Sequence, residues 1–188
     1  MLLSGIIGLW PTPDVVGEAV QPTPDVIANS SVFRTESDLV LARWAVDRFD
    51  RAALQLPPVS IAFHDDKAAC DGHFGYFRSS YPAQIDICGF NSDRFLVTPK
   101  KTMLHELAHA WSHLNLDDQS RVRFLELRDL DTWQDNSVPW EEQGIEHAAE
   151  VIAWGLLDEG PFLTSIGSTA PLKLAEAFEL LTGREPLR

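Results

Sequence analysis

The sequence predicts an α+β domain in which a small β-sheet packs on a helix carrying His105, Glu106 and His109, followed by a second helix rich in glutamate. Three observations carry this expectation. Val59–Phe63 and Ala83–Cys88 read as strands, and they lie among longer segments with helical apolar spacing. Two of those helical segments hold ionisable side chains four residues apart, His105/His109 and Glu146/Glu150, at the margin of an apolar stripe. The chain of 188 residues, 45% of them hydrophobic, has the size of one ordinary domain with a real core.

Residues 1–34 read as an N-terminal extension and 35–188 as the domain. Met1–Trp10 is apolar, but it is too short to span a membrane and lacks a basic flank; it reads as the stub of a signal or anchor. Pro-Thr-Pro-Asp-Val then occurs at 11–15 and again at 22–26, and two copies are too few for a repeat architecture. A Pro-stiffened tether or packed extension is one reading of this stretch, and an inhibitory tail across the active cleft is the other.

Thr35-Glu36-Ser37-Asp38 caps a predicted helix running to about Leu54, with Leu39, Ala42, Val46, Phe49 and Ala53 inward. Leu56-Pro57-Pro58 breaks it before the first strand. Cys70–Phe77 begins as a turn and continues extended, and residues 83–88 form another strand. Thr98 as N-cap and Pro99 at the first helical position open the next helix. Its buried side is Met103, Leu104, Leu107, Ala108, Trp111 and Leu114, and Asn115–Asp118 ends it. Arg121–Asp131 is a further predicted helix. Trp133 and Trp140 fall in a loop, read as core packing or as a substrate subsite. Trp140–Leu157 is the glutamate helix, with Ile145, Ala148, Ala149, Ile152, Ala153, Leu156 and Leu157 inward. After Gly160-Pro161 a last helix spans about Pro171 to Leu181, stopped by Gly183.

His105-Glu106-Leu107-Ala108-His109 spells HExxH. On a helix its two imidazoles share one face and can reach a single ion, while Glu106 can take a proton from a water beside it. The motif alone arises by chance in roughly one chain of this size in a few hundred, so the third ligand matters. A continuation HExxHxxGxxH fails, since Ser112 and Asn115 stand at the last two positions and the only methionines are Met1 and Met103. The surroundings of Cys70 and Cys88 do not match the cysteine segment of peptide deformylases. His113 lies one turn too far along and reads as a rim residue. Glu146 and Glu150, on one face of the later helix, are the remaining candidates; acidic groups toward a buried face are costly unless paired or metal-bound. His147 is the alternative ligand if that helix is rotated.

On HELAH and Glu-His-Ala-Ala-Glu (146–150) the chain resembles the gluzincins, metallopeptidases whose third zinc ligand is a Glu on a following helix. Within them it is similar to the compact minigluzincin and ImmA/IrrE-like proteins. The resemblance spans about residues 98–158. It implies a compact zincin-like domain, one zinc ion held by His105, His109 and Glu146, and Glu150 orienting the first histidine. Glu150 stands where thermolysin-like members carry Asp. The implied activity is peptide hydrolysis by metal-activated water with Glu106 as general base, on a peptide or protein substrate. Iron, cobalt or nickel would suit the same donors. The oxyanion partner would come from His64, His73, Tyr76, Tyr81, His113 or His147. In the compact plan an upstream edge strand pairs with extended substrate; residues 84–88 are expected there, or else they are an ordinary sheet member.

A net charge of −13 argues against nucleic acid and acidic membranes as partners, and against the DNA-associated SprT-like branch that shares the motif. Cys70 and Cys88 either pair as a disulfide, favouring a secreted or cell-envelope protein, or remain thiols in the cytoplasm. Two other functional classes stay open: a non-catalytic metal-binding or sensor domain, and an interaction module in which HELAH is coincidental. Oligomeric state is not legible.

Overall fold

A computed structural model describes residues 26–89, 99–158, 166–167 and 169–188. Met1–Trp10, both Pro-Thr-Pro-Asp-Val segments apart from Val26, Thr98 and Gly160-Pro161 lie outside the described residues. Among those described the protein is α+β, with five α-helices and a three-stranded mixed sheet.

Helix α1 (Glu36–Arg51) starts at the expected capping box: the Thr35 hydroxyl accepts from the Asp38 N–H at 3.2 Å, and the Asp38 carboxylate accepts from the Thr35 N–H at 3.1 Å. It ends three residues earlier than expected. Ala53, predicted inward, is exposed and takes a left-handed φ of 54°, which carries the chain toward the sheet. Ala42 and Phe49 fill the core as expected, joined by Ala45.

Strands β1 (Val59–His64), β2 (Gly75–Arg78) and β3 (Ala83–Cys88) stand in the order β1-β3-β2. β3 is central, parallel to β1 and antiparallel to β2. Residues 84–88 are therefore an ordinary sheet member and not the edge expected to receive substrate; β2 is an edge. Residues 26–33, read from sequence as the end of an extension, run beside β1. Val32 donates to the Ile61 carbonyl at 2.7 Å, and Val59 donates to that of Val26 at 2.8 Å. Cys70 and Cys88 form a disulfide that ties a short 3-10 turn (Ala68–Cys70) to the end of β3.

α2 (Pro99–Asn115) carries HELAH. It packs on the sheet with one side and on α4 (Gly144–Leu156) with another, so every residue from Thr102 to Ser112 is buried. Leu114, predicted buried, is 59% exposed and lies in the exposed last turn of the helix. α3 (Asp118–Arg128) begins three residues before the expected start, capped by Asp117, whose carboxylate accepts from Ser120 N–H at 2.7 Å. The predicted glutamate helix loses its first turn: Trp140–Glu142 is a separate 3-10 turn, and α4 starts at Gly144. α5 (Pro171–Thr182) has Pro171 in its first turn and ends on Gly183 in the left-handed region, as expected.

One buried cation holds α4 from behind. Arg48 of α1, 1% exposed, donates from Nε to the Leu156 carbonyl at 2.7 Å and pairs with Asp158 at 3.3 Å. It thus serves a carbonyl group in the last turn of the helix, where intrahelical donors run out. Arg48→Ala should therefore cost about 2–3 kcal/mol, because it strands a buried carbonyl and removes packing. Urea unfolding of wild type and variant measures it, and a loss below half that figure would show the contact to be incidental.

Candidate metal centre

His105 and His109 project from the middle of α2, one turn apart, toward the first turn of α4, from which Glu146 projects back. His105 Nε2 lies 3.1 Å from His109 Nε2 and 3.1 Å from Glu146 Oε2, and the third side, His109 Nε2 to Glu146 Oε2, is 3.4 Å. The three atoms form one triangle. The geometric convergence expected of these residues is present.

The donor set fits a transition-metal ion, by a test of shape. Bonds of about 2.0–2.1 Å in a tetrahedral zinc site place its ligand atoms about 3.3 Å apart, close to all three sides of this triangle. Hydrogen bonding alone satisfies such a triangle poorly, since each imidazole Nε2 has a single in-plane direction for a proton or a lone pair. Three protein ligands also leave a tetrahedral ion one open position.

The first turn of α4 has no side-chain cap. Its free N–H groups are taken by the preceding loop: Gly144 donates to the Thr132 carbonyl at 3.0 Å and Ile145 to that of Trp133 at 2.8 Å. This clamp fixes the turn that carries Glu146, and the partial positive charge of a helix N-terminus favours its carboxylate.

Glu150, one turn further along α4, stands behind His105. Its Oε1 is 3.6 Å from His105 Nδ1, too long for a hydrogen bond, and 2.9 Å from Lys101 Nζ. It lies at the position expected of an orienting carboxylate, with its closer partner a lysine that sequence reasoning missed. Lys101 is four residues before His105, on the same helix face, and that spacing was the available signal. His147, the alternative ligand, points elsewhere: its Nε2 lies 2.8 Å from the Glu141 carbonyl oxygen.

Glu106 is 6% exposed and lines the same cleft, of about 710 Å³, whose walls include His73–Phe77 on one side and Trp140, Gln143 and Ile145 on the other. A β-carbon built on Gly75 would come 2.3 Å from Glu106 Oε1, so the start of β2 must be glycine for this carboxylate to sit where it does. Gly75 was also missed; a glycine opening a strand signals close approach of another group. Trp140 borders the cleft, 6.4 Å from the His105 ring, whereas Trp133 packs on Phe124.

Electrostatics follow from placing these groups out of water. Burial opposes charge on His105, but the hydrogen bond to Glu146 and the charges of Glu106, Glu150 and Glu146 outweigh it and raise its pKa to about 9. Burial pushes the Glu106 carboxyl up, against the pull of the two histidines. Burial would do the same to Glu146, yet the charge of His109 and hydrogen bonds with both histidines hold it well below the usual carboxylate range.

Of the other polar candidates, His73 and Tyr76 border the cleft. His64 is held by Asp86 at 2.8 Å, Tyr81 is 87% exposed in a turn, and His113 sits exposed on the rim against Phe77. No family model, curated protein or solved structure matches the chain.

Two outcomes follow for the metal-free protein. At pH 7 His105 carries a proton, since its pKa is raised to about 9, and metal ligation needs that nitrogen's lone pair. Zinc should bind one ion per chain, release about one proton at pH 7, and bind more weakly as pH falls. Calorimetry in buffers of different ionisation enthalpy measures this, and binding without proton release would contradict the charge state. Gly75→Ala should retain the ion, because no ligand moves, while displacing Glu106; a crystal structure of that variant with an unmoved Glu106 would refute the space argument.

Proposed function

We propose that the protein is a zinc-dependent peptidase of zincin-like architecture, close in plan to the compact gluzincins. The observation that carries the reading is the buried His105–His109–Glu146 triangle with Glu106 in the same cleft. A buried cluster of ionisable groups with opposed shifts is costly to fold around, and such clusters concentrate at reactive sites.

His105, His109 and Glu146 would hold the ion, which when bound supplies Lewis acidity toward water and a substrate carbonyl. Glu106 does the proton work. Its carboxylate takes a proton as water attacks the peptide carbon, and returns it to the leaving nitrogen as the C–N bond breaks. Burial raises the pKa of this carboxyl, which brings its proton affinity nearer that of the groups it exchanges with. Trp140, Phe74 and Phe77 supply aromatic surface to the cleft walls.

The substrate binds extended, along β2. Cys88 donates to the Phe74 carbonyl at 2.9 Å, so Phe74 is a hydrogen-bonded partner of β3. Antiparallel pairing alternates, which turns the backbone N–H and C=O groups of Gly75 and Phe77 away from β3 toward the open edge. A peptide strand adding there meets those groups and passes over Glu106.

The disulfide points to an oxidising compartment, hence an exported protein. Among the described residues no helix is long and apolar enough to cross a membrane. The strongly negative net charge favours neutral or basic peptides over nucleic acid.

Glu106→Gln should keep zinc and lose hydrolysis of a mixed peptide library by about 10²- to 10⁴-fold. Metal content and library digestion, with and without chelator, are the measurements. Wild-type protein that binds zinc but cleaves nothing would favour a non-catalytic metal-binding or sensor domain. Retained turnover in the variant would remove Glu106 as the base.

A further inference from the structure

The segment leading into α4 carries two tryptophans, Trp133 and Trp140, in contrasting surroundings. Trp133 is packed: its ring meets that of Phe124 edge-on at 6.2 Å, and the Arg121 guanidinium carbon lies 5.4 Å from its centroid. Trp140 has a pinned backbone and an uncovered ring. The Glu142 N–H donates to the Pro139 carbonyl at 3.0 Å and the Gln143 N–H to that of Trp140 at 3.2 Å, which closes the turn on itself. His147 Nε2 meets the Glu141 carbonyl oxygen at 2.8 Å, tying the turn to α4. Just beyond it Gly144 is wedged against α3, where a β-carbon would come 2.5 Å from Leu125 Cδ2. Trp140 is nonetheless 41% exposed. Its ring stands on the wall of the cleft that holds the ligand triangle, 6.4 Å from the His105 ring with 31° between their planes.

From this placement we infer that Trp140 is a specificity-determining residue of the site, a platform for an aromatic side chain of the substrate next to the scissile bond; the inference rests on the peptidase reading above. A large ring left open to water on a pinned turn offers apolar area that a ligand can cover while the backbone beneath is already ordered. Its closeness to His105 puts it beside the ligand triangle, so the side chain that reaches it belongs to a residue adjoining the bond under attack. Ile145 continues the apolar surface on the same wall, and Gln134 and Gln143 border it with neutral amides. An aromatic side chain suits this surface, since offset or edge-on rings gain more than the area they bury. A cationic side chain would call for a carboxylate beside the indole. Among the described residues that line the cleft, each glutamate is placed elsewhere: Glu146 with the histidines, Glu150 with Lys101, and Glu106 against Gly75. Glu141 and Glu142 flank the turn but do not line the cleft.

The test uses the zinc-loaded full chain and three small hydroxamates, whose common head group binds zinc: acetohydroxamate, phenylacetohydroxamate and 6-aminohexanohydroxamate. Wild type should bind the phenyl compound about tenfold more tightly than acetohydroxamate, and the amino compound no better than acetohydroxamate. Trp140→Ala should lose that tenfold preference while its affinities for zinc and for acetohydroxamate stay within about twofold of wild type. Trp140→Phe, which keeps a ring, should retain part of it. In a mixed peptide library wild type should cut beside Phe, Tyr or Trp, and Trp140→Ala should cut with that preference flattened. Loss of zinc or acetohydroxamate affinity in Trp140→Ala would show that the indole merely supports His105, and would overturn its role in specificity. A wild-type preference for the amino compound would overturn the aromatic assignment in favour of a cationic side chain. Library cleavage indifferent to aromatic residues would overturn the inference while leaving the peptidase standing. Wild type that binds the phenyl compound preferentially but cleaves nothing would overturn the peptidase reading, and with it Trp140 as a determinant of cleavage.

Discussion

The packing of α2 against α4 is the constraint on which the rest of the molecule depends. An imidazole and a carboxylate 41 residues apart in sequence, one on each helix, come to 3.1 Å, with a second imidazole on the same triangle. Nothing local favours this. Taking His105, Glu106, His109 and Glu150 out of water is unfavourable unless each charge finds a partner, and opposite charges find one another only when both helices are in register. Both helices carry buried alanines, Ala108 and Ala110 on α2 and Ala148, Ala149 and Ala153 on α4.

The remaining elements hold that pair in place. The 132–133 backbone closes the N-terminus of α4, and Arg48 serves its C-terminus. The sheet supports α2 from the other side, and the disulfide secures the turn leading into β2. Each end of the glutamate helix is thus satisfied by groups distant in sequence. The site is consequently a property of the whole domain and not of the motif alone, and its precision comes from rigid helices and not from loops.

Several elements were legible because their signals are local. The capping box at Thr35, Pro171 in the first turn of α5 and Gly183 at its end each satisfy or terminate a backbone within a few residues. The helical spacing of Met103, Leu104, Leu107, Ala108 and Trp111 was likewise readable, and all five are buried. Errors fell where a neighbour distant in sequence decides. Leu114 continues the stripe of α2 but falls in its exposed last turn. Strand β3 buries Ile85, Asp86, Ile87 and Cys88 consecutively, the pattern of a strand covered on both faces, yet the aspartate disguised it. Asp86 is tolerated there because Arg78, His64 and Gln84 surround its carboxylate.

The sequence by itself determined the identity and face of the candidate ligands, since a 3.6-residue period places His105 with His109 and Glu146 with Glu150 whatever surrounds them. It also determined that a small sheet precedes those helices. Only the tertiary structure decided that Glu146, and not His147, turns toward the histidines, that β2 and not β3 lies at the open edge, and that Gly75 makes room for Glu106. The physical reason is range: a helix face is set by bond geometry within one turn, whereas the direction in which that face looks is set by what packs against it across the domain.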